Sequence, residues 1–245
     1  MTLDERERET FGETLRRLQS AQKGRARGAP AYSVYINRSL GRVFAAGAYR
    51  AGLTANQVTA VSALFTFTGI ALLALVAPSP ALGIGIAVLL ALGYAWDSAD
   101  GQVARLRGGG SVAGEWLDHF VDAIKIATLH VAVLIGLARF TGVEGAALLL
   151  PLAYSVVATV TFFGMILNDL LKSARGATTT AARGGASPAR SILLLPTDYG
   201  ILCLVFFAWG WPSVFWWIYG AMFVANALFL GAASVKWFRE MRAIA

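Results

Sequence analysis

Charge is scarce in this chain of 245 residues: Asp, Glu, Lys and Arg make up 14% of it, whereas 57% is hydrophobic. With a mean hydropathy of +0.61, that deficit excludes an ordinary soluble domain and points to a polytopic membrane protein. Cysteine is nearly absent. The single Cys203 excludes an intramolecular disulfide framework, and its apolar neighbourhood makes it a small core hydrophobe. There is no dinucleotide-binding, Walker or nucleophile-elbow motif and no tandem repeat. The N-terminal stretch MTLDERERETFGETLRRLQ has no apolar centre, so no cleavable signal peptide is expected. No nucleic-acid partner is expected either.

What is present is a series of apolar runs. Six spans are expected, at roughly 57–77, 81–105, 115–137, 145–167, 191–210 and 212–234, giving an all-α membrane protein. The connectors alternate in charge. Residues 78–80 and 210–212 carry none, and 138–144 carries only Arg139 and Glu144. The other connectors hold Arg105 and Arg107, then Lys172, Arg175, Arg183 and Arg190, then Lys236, Arg239 and Arg242. By the positive-inside rule both termini and the 107–111 turn are expected to be cytoplasmic in a cell (inner or plasma) membrane, and an even number of spans agrees in placing both termini on one side.

The formal charge is +7, and residues 1–50 hold ten of the 21 basic and five of the 14 acidic residues. Residues 1–30 read as a basic extension preceding a membrane domain at 31–245. Within the extension, 10–22 can form a helix with Phe11, Leu15 and Leu18 on one side. It either lies on an anionic membrane surface or is a solvated tail. Residues 24–30 read as a flexible break. Residues 32–50 form a second amphipathic stretch, apolar at Tyr35, Leu40, Val43, Phe44 and Ala48 and basic at Arg38, Arg42 and Arg50, expected as a cytoplasmic juxtamembrane helix. Thr54 is the expected N-cap of the first span.

Against this apolar background, four carboxylates fall within 97–122, DSADGQVARLRGGGSVAGEWLDHFVD. A carboxylate in hydrocarbon is costly, so such a group marks a functional site. At about 100° per residue, Asp100, Gly101 and Ala104 lie roughly within 60° of Asp97. On the next helix Gly114, Asp122 and Lys125 lie roughly within 40° of Asp118. Two helices joined by a short turn can therefore each present two carboxylates with glycines between them. Oxygen donors of this kind suit Mg2+ or Mn2+, and four of them favour a two-metal clamp on phosphate.

The spacing Asp97-x2-Asp100-Gly101-x2-Ala104-Arg105-x8-Gly114-x3-Asp118-x3-Asp122 resembles, at every defined position, the signature of the CDP-alcohol phosphatidyltransferase family. The resemblance implies an integral-membrane transferase of phospholipid synthesis. It would move a substituted phosphate from a CDP-alcohol lipid, CDP-diacylglycerol above all, to a polar acceptor alcohol, with release of CMP. It implies metal ligation by Asp97, Asp100, Asp118 and Asp122, with Asp122 as general base. Gly101, Ala104, Arg105 and Gly114 would face the CDP-alcohol, and a homodimer is implied. The segment 53–59, LTANQVT, is similar to the family's LTPN-x-VT, with Ala55 in place of proline. Asn56 either faces the nucleotide or simply starts the helix.

Other polar residues are read more loosely. Lys125 either holds a phosphate of the acceptor, pairs with an acid, or snorkels to the interface. His119 and His130 fall roughly 100° and 120° off the acid face and are expected to pack rather than to ligate metal. Arg175, Arg183 and Arg190 either obey the charge bias or line an acceptor pocket, glycerol phosphate or inositol phosphate being the acceptors that arginines suit. Pro196 is expected to kink the helix at the start of the fifth span, and Asp198, just after it, either contacts the acceptor or balances an arginine. Trp209, Trp211, Trp216 and Trp217 read as an interfacial belt. A different CDP-alcohol and acceptor pair is one alternative. A divalent-cation transporter is another, and it leaves Gly101, Ala104, Arg105 and Gly114 unexplained.

Overall fold

The structure is a computed structural model that describes residues 9–20, 30–179 and 188–244. Most of the 1–30 extension, Arg183 and the side chain of Arg190 lie outside the described residues. Among those described, every regular element is helical. Helix α1 is Phe11–Ser20, and α2, Arg38–Arg50, is entered through a π-helical stretch, Tyr32–Asn37. The long helices are α3 (Ala55–Leu75), α4 (Pro80–Leu106), α5 (Val112–Phe140) and α6 (Leu149–Ala174). Short helices α7 (Pro188–Leu193) and α8 (Tyr199–Val205) precede the last one, α9 (Pro212–Ala243).

Five of these are long and apolar enough to cross a membrane: α3, α4, α5, α6 with its preceding turn, and α9. The span at 191–210 is broken at the expected kink, because Pro196 cannot donate to a helix ladder and Asp198, in extended conformation, caps α8. The passage continues through α8 into a 3-10 turn, Phe206–Gly210, so the fifth apolar segment in chain order is the short Tyr199–Gly210.

Local chemistry sets where the helices begin. Thr54 Oγ1 accepts from the Gln57 N–H at 3.3 Å while Gln57 Oε1 accepts from the Thr54 N–H at 2.8 Å, a reciprocal cap that starts α3. Ser79 accepts from the Leu82 N–H at 3.2 Å and Pro80 opens α4.

Helix α4 is the centre of the bundle, packed along α3 on one side and under α2 on another. Small residues allow the close approach: a Cβ on Gly93 would collide with the Thr66 side chain, and Ser62 Oγ donates to the Gly93 carbonyl at 2.8 Å. Away from the carboxylates, an aromatic plug fills the bundle. Phe206, Trp209, Phe215 and Tyr219 are buried there with Leu73, Ile86, Leu90 and Leu137. At the other end, Leu18 of α1 and Tyr49 of α2 pack with Val58, Ala99 and Val103.

Candidate active site

The carboxylates sit where the end of α4 turns into α5. Gly108 and Gly109 take φ of +97° and +131°, backbone conformations that favour glycine, and so reverse the chain. The Arg107 guanidinium fastens this turn by donating to the carbonyls of Gly52 and Leu53, each at 2.7 Å from Nη2. Ser111 Oγ then caps α5 by accepting from the Gly114 N–H at 3.0 Å.

The outcome is convergence. One carboxylate oxygen from each of Asp97, Asp100 and Asp118 lies within 4.8 Å of the others. Asp100 is 7% exposed and accepts a hydrogen bond of 2.7 Å from Thr59 Oγ1 on α3. Thr59 was not singled out in the sequence. Its signal was a hydroxyl in the first turns of an apolar helix.

Like charges this close repel strongly in a poorly solvated site, so a cation must lie among them. Lys125 supplies one: its Nζ is 2.5 Å from Asp97 Oδ1 and also pairs with Asp122, and the residue is 4% exposed. It therefore bridges the two helices through acids instead of reaching the interface. One ammonium leaves four carboxylates under-neutralised. The remaining oxygens, hard donors from two rigid helices, fit a divalent cation of the Mg2+ or Mn2+ kind.

A cavity of about 750 Å3 opens beside this cluster. Asp100 and Asp118 line it together with Asn56, Gly101, Ala104, Arg105 and Gly114, all named from the sequence. Gly114 is closely approached: a Cβ there would lie 3.2 Å from Asn56 Oδ1 and 3.1 Å from Ser111 Oγ, so those side chains would have to give way. A second, polar cavity of about 240 Å3 lies on another side of the same α4 segment, against Arg38, Asp97, Asp100 and Arg105.

His119 packs edge-on against Phe162, with ring centroids 6.3 Å apart, and it also stands beside the acids. One of its ring nitrogens groups with carboxylate oxygens of Asp118 and Asp122 within 4.8 Å, and it lines the larger cavity. A long imidazole next to Asp118 in sequence can reach back across the 100° that separates them. His130 packs as well: it is 1% exposed, stacked on Tyr154 at 4.0 Å, with Nδ1 2.6 Å from the Tyr219 hydroxyl.

The residues grouped as acceptor contacts are dispersed. Asp198 is 1% exposed and accepts from the Ser33 N–H and hydroxyl, each at 2.9 Å, and from the Gly200 N–H at 3.0 Å. Ser33 Oγ in turn lies 2.6 Å from the Tyr94 hydroxyl. Asp198 thus clasps the segment before α2 to α4 and α8. Arg175 is exposed and its guanidinium donates to the Ile244 carbonyl at 3.4 Å. Lys172 pairs with Glu240 at 2.7 Å, tying α6 to α9.

Comparison with known proteins matches residues 52–235 to the family model described as CDP-alcohol phosphatidyltransferase. No curated protein matches the chain. Among solved structures, it is similar to Mycobacterium tuberculosis phosphatidylinositol phosphate synthase (PgsA1) in complex with manganese and citrate. The identity is 23%, the TM-score 0.51, and the match covers 83% of this chain and 89% of that one. It is also similar to the same enzyme with CDP-DAG bound, at 24% identity, TM-score 0.49 and coverage of 80% and 90%.

Proposed function

The chain belongs to the CDP-alcohol phosphatidyltransferase family, and from that premise we propose that it transfers a phosphatidyl group from CDP-diacylglycerol to a polar alcohol, releasing CMP. The observation that carries this reading is the convergence of the Asp97, Asp100 and Asp118 oxygens at the wall of a cavity lined by Asn56, Gly101, Ala104, Arg105 and Gly114. The cavity takes the nucleotide. Gly101 and Ala104 let it approach the α4 backbone, and Arg105 forks onto a phosphate.

Asp97, Asp100, Asp118 and Asp122 are the residues that would hold divalent cations, and such ions neutralise charge on the diphosphate and on departing CMP. Asp122, aimed by its pair with Lys125, accepts the proton of the acceptor hydroxyl. The alcohol oxygen then bonds to the lipid-linked phosphorus, and the bond from that phosphorus to the CMP oxygen breaks, CMP leaving with the electron pair. The acceptor is a polar alcohol, with glycerol phosphate and inositol phosphate the first to test. Charge bias along the connectors supports a cytoplasmic site and cytoplasmic termini. The family resemblance supports a homodimer, checked by mass in detergent.

The test is CMP release by the purified protein in lipid, given CDP-diacylglycerol, Mg2+ or Mn2+, and a panel of glycerol phosphate, inositol phosphate, inositol, serine and glycerol. One acceptor should give CMP and a lipid of matching mass, and Asp122→Asn should abolish both while still binding the CDP-lipid. Full turnover by Asp122→Asn would overturn the base assignment. No product from any acceptor would overturn the donor and acceptor classes.

A further inference from the structure

The family signature accounts for one arginine at the site, Arg105. The structure brings a second one to it from a different element. Arg38 opens α2, the juxtamembrane helix, and lines the 240 Å3 polar cavity together with Arg105, Asp97 and Asp100. The contact that places it is backbone-anchored: Gln102 on α4 donates to the Arg38 carbonyl at 3.4 Å. Three residues away, Gly41 lies so close to Ser98 that a Cβ there would come within 2.7 Å of Ser98 Oγ. Helix α2 thus packs closely on α4 beside Arg38.

Both arginines are half-buried, and neither guanidinium forms an ion pair or hydrogen bond with a described residue. The carboxylates beside them are engaged elsewhere, Asp97 by Lys125 at 2.5 Å and Asp100 by Thr59 at 2.7 Å. The Arg105 guanidinium stands over Gly101, where a Cβ would lie 3.6 Å from its Nη1. Asp97 and Asp100 line the same cavity, yet neither carboxylate is in ion-pair contact with either guanidinium, so both forks keep their donors free for a ligand. A tetrahedral oxyanion that offers several acceptor oxygens matches two forks, and phosphate is the member of that class a site of this kind meets.

We propose that Arg38, with Arg105, forms a two-arginine phosphate subsite in this cavity, which makes the juxtamembrane helix part of the substrate-binding site. The inference rests on the transferase reading for the identity of the phosphate, which is either the donor's diphosphate or a phosphate carried by the acceptor. The subsite itself rests on geometry alone.

The experiment uses the full chain in detergent with Mg2+. Binding of CDP, of inorganic pyrophosphate and of inorganic phosphate is measured for the wild type, Arg38→Gln, Arg38→Lys and Arg239→Gln. The last removes one charge from an exposed position on α9. Loss of a charge-assisted contact should weaken anion binding about tenfold or more in Arg38→Gln. Arg38→Lys should recover only part of it, and Arg239→Gln should match the wild type. Repeating the phosphate titration with CDP-diacylglycerol bound separates the sources. If the lipid displaces phosphate, the subsite holds the donor's diphosphate. If phosphate still binds in an Arg38-dependent way, it holds the acceptor's.

Equal affinities in Arg38→Gln and Arg239→Gln, for all three anions, would overturn the proposal. A wild type that binds these anions through Arg38 but releases no CMP with any acceptor would instead refute the transferase reading and leave the subsite standing.

Discussion

Lys125 offers the sharpest test of how the acid cluster is held together. Its ammonium bridges Asp97 on α4 and Asp122 on α5, with side-chain exposures of 5% for the lysine, 18% for Asp97 and 21% for Asp122. Lys125→Met keeps much of the volume and removes the charge. Deleting one partner of a buried pair costs about 3–5 kcal/mol, since the other charge is left uncompensated. The acids here keep some solvent, which places the expected loss near the lower end, about 3 kcal/mol. For a chain of this length that is roughly 6–12 °C of melting temperature.

A divalent cation should replace part of the missing charge. Tryptophan fluorescence of the purified protein, melted in EDTA and again in Mg2+ or Mn2+, reads both effects. The deficit should be large in EDTA and should narrow with metal. Adding Asp97→Asn to Lys125→Met should recover stability in EDTA, because it removes one of the repelling carboxylates. Turnover should fall through kcat, as expected for a residue that aims the Asp122 carboxylate. Melting curves in EDTA that match the wild type would refute the bridging role. A rise confined to the acceptor KM would favour direct contact with the acceptor.

Three further outcomes are expected. Asp198→Ala, which strips the clasp to Ser33 and Gly200, should destabilise by about 1–3 kcal/mol while CMP release at saturating substrates persists; an unchanged melting curve would remove the clasp from the account. Gly136→Ala would drive a methyl into the Leu73 carbonyl and the Trp209 ring. It should cost about 1–3 kcal/mol, and wild-type stability would show that α3 and α5 can part there. A cysteine replacing Gly109, at the turn between α4 and α5, should be labelled by an impermeant reagent from the cytoplasmic side alone; labelling from the opposite side would invert the topology.

Helical periodicity made much of the site legible. Asp97, Asp100 and Asp118 could be placed on facing stripes from spacing alone, and Thr54 announced its own helix. What spacing cannot show is which helix lies opposite. Arg38 reads as one more basic residue of an amphipathic stretch until α2 is seen lying on α4. Thr59 looks like any hydroxyl in an apolar run until it reaches Asp100. The contact of His119 with Phe162 was within reach of an angular count, but its nearness to Asp118 and Asp122 was not, because such a count treats side chains as points on a circle and ignores the reach of an imidazole. The break in the fifth passage was legible in Pro196. Asp198 still read as a possible ligand, since its partner Ser33 is far away in sequence.

The aromatic plug has a mechanical meaning for the chemistry at the opposite end. Backbone meets backbone there, Gly210 against Pro80, and Gly83 against the carbonyls of Phe206 and Phe207, so α4 and α5 are pinned at Gly83 and Gly136. From each pin to the acids, Gly83 to Asp97 and Gly136 to Asp122, runs about 21 Å of helix. A rocking of about 5° around those pins moves the carboxylates by roughly 1.8 Å, well beyond the ~0.2 Å within which metal–ligand distances are held. The plug is a fulcrum. Sub-degree differences in how the two levers meet would change the spacing of the carboxylates, so a substitution deep in the apolar end would alter the site without touching any of its groups.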